Sequence, residues 1–439
     1  MFTLYLAVAP GAPCVSIPTV NRRQFVSRLA AAAALGLVGR SAWARGKKAA
    51  PAAPRDSAAA DSSNVPRPPA SGALIAAAGD TTLGYNLQAD YDQRAATGVP
   101  TELIDTIYFS GIKPIFDWAD LTLVNLECPF TEHGSPLAKN FNFRARPSLV
   151  ELLKQGEVGA VTLANNHLMD YGETGVSDTI ATLDGAGILH FGAGGDLTVA
   201  RAPLVLERAG IRLGFLGYYF QDARDMLEPA AVYATERSAG VAGCYTDLAC
   251  MMTMLEQDLN ALCPRVDAAI PFFHWGHEGS NEVRDYQIAL AHRAVDLGAR
   301  AVLGSHPHRF QGVEVYRGAP IFYSLGNFVF GGNKDPKDKL SAIARLFVPA
   351  TGPIQADLVP IQITRWPEAP FQPFPLEAED KAAALAYLAD RSRDFAATLP
   401  QLQAVMPLEH GVTWPPAPAD SAAAGAPRTR ADSLGWSPH

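Results

Sequence analysis

The 439-residue sequence predicts an α/β fold, a sheet covered by helices, on three observations. Short apolar runs recur along the chain, several without polar alternation, as strands buried on both faces require. Segments of helical period separate them. Unusual polar residues follow the runs directly, on the side where α/β sheets bind ligands.

The chain opens on what reads as an address. Arg22 and Arg23 precede Phe25, an Ala/Leu-rich run over 29–38, and the small-x-small pattern Ala42-Trp43-Ala44. That is the layout of a twin-arginine export signal over 1–44, which predicts a periplasmic or extracellular protein. The apolar run is too short and alanine-rich for a stable transmembrane anchor. Residues 1–20 stand awkwardly in front of the signal, as a misassigned start would. An Ala/Pro/Ser-rich linker is expected over 45–71, one folded domain over 72–400, and a largely disordered tail over 401–439.

The first strand is expected at 73–78, running into Gly79-Asp80-Thr81-Thr82. Runs at 120–124, 159–164, 211–217 and 268–273 lead into Asn125-Leu126-Glu127, Asn165-Asn166-His167, Tyr218-Tyr219 and His274-Trp275-Gly276. The run at 301–303 meets His306-Pro307-His308, where proline ends strand pairing, and 320–323 meets Ser324-Leu325-Gly326-Asn327-Phe328. Helical period occupies 176–183, and Tyr286, Leu290, Ala294 and Leu297 line one helix face before Gly298. Runs at 346–348 and 358–361 read as antiparallel strands completing a second sheet, and 380–395 as a surface helix.

The formal charge is −8, and no acidic residue precedes Asp56, so removal of the signal leaves a more acidic protein. That argues against nucleic acid or an anionic membrane surface as partner. Cys128, Cys244, Cys250 and Cys263 lie beyond the signal. None has structural-zinc spacing, and pairing does not follow from spacing.

Carboxylates from Asp80 and Glu127, an amide oxygen from Asn166, and imidazoles from His274, His306 and His308 form a mixed oxygen and nitrogen set. It suits one or two divalent ions of Mn, Fe or Zn. The alternative for each strand end is ordinary turn chemistry, which does not readily account for five of them. His167 is a candidate proton donor, with Asp170 either orienting its ring or capping a turn. Glu278 is a ligand, a base or a surface residue, and Asn327 a site hydrogen-bonder or a turn residue. Arg144 is a candidate for binding a phosphate or carboxylate, or a solvated side chain. His190 and His292 read as packed or structural.

Gly79-Asp80, Asn125-Leu126-Glu127, Asn165-Asn166-His167-x-x-Asp170-x-Gly172, His274-Trp275-Gly276-x-Glu278, Gly304-x-His306-Pro307-His308 and the 323–328 segment resemble, in order, the motif series of the CapA capsule-synthesis family. The family is associated with poly-γ-glutamate synthesis and export and is related to calcineurin-like metallophosphoesterases. The resemblance implies a calcineurin-like metallophosphoesterase fold, two stacked mixed sheets flanked by helices. By that analogy Asp80 and His308 hold one ion, Asn166, His274 and His306 the other, and Glu127 bridges. Thr82 stands where the phosphoesterases have a histidine, Glu127 where they have aspartate, and Asn165 where they usually have glycine.

The leading expectation is an exported metal-dependent hydrolase acting on a phosphoester, or on the γ-glutamyl amide of an anionic polymer, alongside capsule or polyglutamate synthesis machinery. The alternative is a non-catalytic accessory protein that binds metal or polymer carboxylates. A periplasmic binding protein is a third reading and leaves the histidines without a reason.

Overall fold

The computed structural model describes residues 72–395. The expected signal, linker and tail lie outside the described residues. The strands in chain order are β1 (Gly72–Thr82), β2 (Leu121–Leu126), β3 (Ala160–Thr162), β4 (Leu189–Phe191), β5 (Ala193–Gly194), β6 (Leu204–Arg208), β7 (Ile211–Phe220) and β8 (Gly240–Val241). They continue as β9 (Ala268–Trp275), β10 (Leu303–Ser305), β11 (Val313–Tyr316), β12 (Ala319–Phe322), β13 (Asn327–Phe330), β14 (Leu340–Pro349), β15 (Gln355–Gln362) and β16 (Phe374–Pro375).

One sheet runs β16-β15-β14-β1-β2-β3-β4, with β13 paired to the far end of β1. Strands β1 to β4 are parallel, whereas β14 to β16 are antiparallel additions. A second sheet runs β10-β9-β7-β6, parallel except for β6. Strands β5 and β8 form one small ribbon, and β11 and β12 another.

The two-residue period of each strand divides its side chains between two layers. Ile75 and Ala77 of β1, Leu123 of β2, Phe215 of β7 and Ile270 and Phe272 of β9 share one apolar cluster, which packs the sheets face to face. Ala76, Ala78 and Val124 turn the other way, toward helices Lys113–Asp117, Val150–Gln155 and Gly172–Ala186 through Phe116, Leu152 and Leu183. Leu216, Tyr218, Phe273 and Trp275 face helices Leu248–Leu262 and Asp285–Asp296 through Leu255, Leu259 and Leu290. Mixed sheets flanked by helices agree with the α/β class read from the apolar runs. Among the described residues no helix is long and apolar enough to cross a membrane.

Two expectations need correction. The antiparallel strands β14 and β15 do not complete the second sheet. They extend the first, with Ile75 opposite Leu346. Strand β1 is buried on both faces, so its second edge must find backbone partners within the protein, and β14 supplies them. The run at 301–303 pairs two residues late, as Leu303–Ser305, which carries the strand to the His306 turn.

Candidate metal centre

The parallel strands end at one place. Asp80 lies near the end of β1, Glu127 directly follows β2, Asn166 and His167 follow β3, His274 lies near the end of β9, and His306 directly follows β10. The backbone N of Asp80 donates to Gly326 O at 2.9 Å, and that of Glu127 to Thr81 O at 2.8 Å. The turn after β10 is strained. His306 has φ 104° and His308 φ 55°, values non-glycine residues rarely adopt. Pro307 between them fixes its own φ and stiffens the turn.

These ends bring the predicted ligands together. Glu127, His274 and His306 present atoms within 4.8 Å of one another, as do Asp80, Glu127 and His308. Glu127 belongs to both groups. His274 Nε2 lies 2.8 Å from Asn166 Oδ1, 2.9 Å from His306 Nδ1 and 3.5 Å from Glu127 Oε1. His308 Nδ1 lies 3.1 Å from Asp80 Oδ2, and its Nε2 is 3.8 Å from Glu127 Oε1. The donors are carboxylate, amide and imidazole; the neighbouring Cys128 is a buried thiol pushed up to about 12 by desolvation, not a thiolate.

The electrostatics suit a cation. Glu127 is fully buried, and neither of its carboxylate oxygens has a hydrogen-bond partner. Buried carboxylates are normally paired, so two orphaned oxygens mark a place for positive charge. Desolvation, then the charges of Asp80 and Glu278, push the Glu127 pKa well above the carboxylate range. Burial, then neighbouring imidazoles, hold His274 and His306 well below the usual histidine value, so both are neutral and able to ligate. Burial opposes charge on His308 too, but its hydrogen bond to Asp80 wins and raises it. Buried Glu, Asp and His in this arrangement can hold a metal ion.

The remaining sequence candidates divide. His167 is buried beside the cluster, with Nδ1 2.7 Å from Asp170 Oδ2 and its ring 4.3 Å from that of Phe143. Asp170 also accepts from the backbone N of Phe143, a contact between distant segments, so it orients the ring, while the helix Gly172–Ala186 has no side-chain cap. Asn327 is buried and places Oδ1 2.9 Å from His308 Nδ1. That contact fits the site hydrogen-bonder of the two sequence readings. Glu278 is exposed, in the segment after His274, and acts on Glu127 and His308 through its charge. Arg144 is exposed and lies over the Tyr171 ring at 4.5 Å. His190 pairs with Asp184, and His292 with Glu314 while stacking on Tyr316, the structural roles expected of them.

Sequence reasoning missed a supporting shell. Asn125 Nδ2 donates to Asp80 Oδ1 at 2.8 Å and lies 3.1 Å from His274 Nδ1. Its Oδ1 accepts from Asn165 Nδ2 at 3.1 Å. Ser305 Oγ lies 3.1 Å from His274 Nδ1, and Gln221 Nε2 2.8 Å from His306 Nε2. Lys139 reaches the back of the site from a loop. Asn125 carried a signal, since it stands in the same short motif as Glu127; Gln221 and Lys139 carried none. Thr82 turns its hydroxyl to the Glu127 carbonyl at 3.1 Å and adds no ligand.

The family model for the bacterial capsule synthesis protein PGA_cap matches residues 74–332. The chain is 32% identical over 263 residues to the capsule biosynthesis protein CapA of Bacillus anthracis, covering 58% of this chain but 61% of that protein's length. It is 28% identical over 296 residues to the PGA biosynthesis protein CapA of Bacillus subtilis strain 168, covering 66% and 72%. A probable polyglutamine synthesis accessory protein of Mycobacterium tuberculosis is 30% identical over 252 residues, covering 56% and 65%. A solved structure, a hypothetical protein from Thermus thermophilus, is 17% identical with a TM-score of 0.39, covering 65% of this chain and 99% of that one. The matched stretch holds every side chain of the buried cluster, from Asp80 to Asn327. The chain belongs to the bacterial capsule synthesis protein PGA_cap family.

Proposed function

We propose that this protein is an exported metal-dependent hydrolase of the phosphoesterase type, working in capsule or poly-γ-glutamate synthesis, with its two sheets arranged as in calcineurin-like metallophosphoesterases. The observation that carries the reading is Glu127, a buried carboxylate with both oxygens unpartnered between two sets of ligand atoms. Asp80 and His308 would hold one ion and Asn166, His274 and His306 the other, with Glu127 common to both groups. Bound Mn, Fe or Zn would supply Lewis-acid polarisation of the scissile group and a more acidic water.

The chain's own part is proton management and shape. Burial lowers the His167 pKa and Asp170 holds its Nδ1–H, so the proton that Nε2 gives to a leaving oxygen is one it first accepts from the attacking water. Phe143 against the ring limits its rotation and screens it from water. The substrate is a phosphoester, or the γ-glutamyl amide of an anionic polymer, with the exposed Glu278 and Arg144 assigned to meet it. Export is supported by the Arg22-Arg23 signal pattern and by the bond between Cys244 and Cys250, which an oxidising compartment maintains.

Protein reconstituted with Mn²⁺ is expected to turn over a generic phosphodiester and to lose that activity on His167→Ala while still binding the metal. Full activity in His167→Ala would remove the histidine from the reaction. A second reading, a non-catalytic accessory protein binding metal or polymer carboxylates, is favoured by Thr82, which leaves one ion a ligand short. Metal uptake without turnover of any phosphoester or polyglutamate would select it.

A further inference from the structure

Lys139 and Glu228 meet behind the cluster from two loops outside every strand and helix. Lys139 Nζ lies 2.7 Å from Asp170 Oδ1 and 2.9 Å from Glu228 Oε2, and donates to the Asn166 backbone carbonyl at 2.8 Å. Its side chain is 3% exposed. The ammonium thus donates one hydrogen bond and forms ion pairs with two carboxylates, the kind of partners a buried cation requires.

The other oxygen of Glu228 accepts from Asn166 Nδ2 at 3.1 Å. This bond decides which end of the amide faces the cluster. With Nδ2 committed to Glu228, Oδ1 is the atom that lies 2.8 Å from His274 Nε2. An inverted amide would aim N–H groups at the place where a cation needs oxygen, and would set its oxygen against the Glu228 carboxylate. Asp170, held by the same ammonium, sends its second oxygen to His167 Nδ1 at 2.7 Å. One buried cation therefore ties the amide ligand to the imidazole.

We infer that Glu228 and Lys139 are positioning residues of this centre. Glu228 fixes the Asn166 amide with its oxygen toward the ion, and Lys139 locks Glu228 to the Asp170–His167 pair. The inference rests on the metal reading above, and it gives the chain a reason to bury the Lys139 ammonium between Asp170 and Glu228. Partners that orient a ligand from behind typically change metal affinity by about 10–100-fold when lost.

The test compares wild type with Glu228→Ala, Glu228→Gln and Lys139→Met, using Mn²⁺ calorimetry and side-chain ¹⁵N NMR of the metal-free protein. In wild type the Asn166 amide protons exchange slowly. Glu228→Ala makes them exchange fast and weakens Mn²⁺ binding by about 10–100-fold. Glu228→Gln, whose amide oxygen still accepts from Asn166, recovers most of the affinity, which a general loss of folding would not allow. Lys139→Met shifts both the Asn166 amide and the His167 ring signals. Slow Asn166 exchange and unchanged affinity in Glu228→Ala would overturn the positioning role and leave the metal reading standing. If wild type takes up no Mn²⁺ yet Glu228→Ala still frees the amide, the metal reading falls while the grip of Glu228 on Asn166 is upheld.

Discussion

His306 Nδ1 lies 2.9 Å from His274 Nε2, across 32 residues of sequence and between two neighbouring strands, β9 and β10. Both rings are fully buried or nearly so, and both are held neutral by burial and by the neighbouring imidazoles. Two neutral imidazoles at one point beside an unpartnered carboxylate form a donor set that can hold a cation.

Glu127→Gln is expected to separate stability from function. In the metal-free protein it replaces a buried carboxyl that ionises only at a desolvation cost, and should stabilise the fold at neutral pH by about 1–3 kcal/mol. The same change should abolish Mn²⁺ uptake. Denaturant unfolding of chelator-treated samples and calorimetry measure the two effects. A destabilised variant that still binds Mn²⁺ normally would show that Glu127 is a packing residue.

The pH dependence of that difference has a definite sign. The folded Glu127 pKa is raised well above its ordinary 4.5 by burial and by Asp80 and Glu278. Its contribution to stability is therefore fully present below the unfolded value and is lost as pH rises through the folded one. The advantage of metal-free Glu127→Gln over wild type should be absent near pH 4 and widen by about 1.4 kcal/mol per pH unit across that window. A gap that narrows with rising pH would contradict this environment for Glu127.

Metal should act as a folding ligand. Mn²⁺ at about a hundred times its dissociation constant is expected to stabilise wild type by about 2.7 kcal/mol, read as a rise in Tm that a chelator reverses. His274→Ala removes a nitrogen shared by Asn166, His306 and Glu127 and should cancel the rise. An equal Tm shift in His274→Ala would place the ion elsewhere.

Two glycines should respond oppositely to alanine. A Cβ on Gly79 would stand 1.8 Å from Gly326 O, the carbonyl that holds the Asp80 backbone at 2.9 Å. Gly79→Ala must push the two segments apart, at a cost of about 1–3 kcal/mol, and should weaken metal binding with it. At Gly185, within helix Gly172–Ala186, a Cβ meets nothing within 4 Å. Gly185→Ala should stabilise by about 0.5–1 kcal/mol and leave the centre unchanged. Equal effects at both positions, by thermal unfolding, would refute the assigned packing.

The strands and most of the ligand set were legible because each is a local signal. Continuous apolar runs wrote 73–78 and 268–273 as strands, and a polar group just after an apolar run wrote Asp80, Glu127 and His274 as strand-end residues. The backbone partner of β1 was not legible, because a strand buried on both faces pairs equally well with any apolar strand and nothing in 346–348 names its neighbour. Asn327 was legible as polar but not as the support of His308, since its role depends on β13 running beside β1 at Asp80.

By itself the sequence determined the chemistry present: oxygen and imidazole donors at the ends of buried strands, with a proline-stiffened turn between two histidines. The tertiary structure alone decided which groups share the cavity and which of them are left without partners. Desolvation and hydrogen bonding depend on contacts between residues far apart in the chain. For that reason the unpaired Glu127 and the ammonium of Lys139 behind Asn166 appear only after the sheets have stacked.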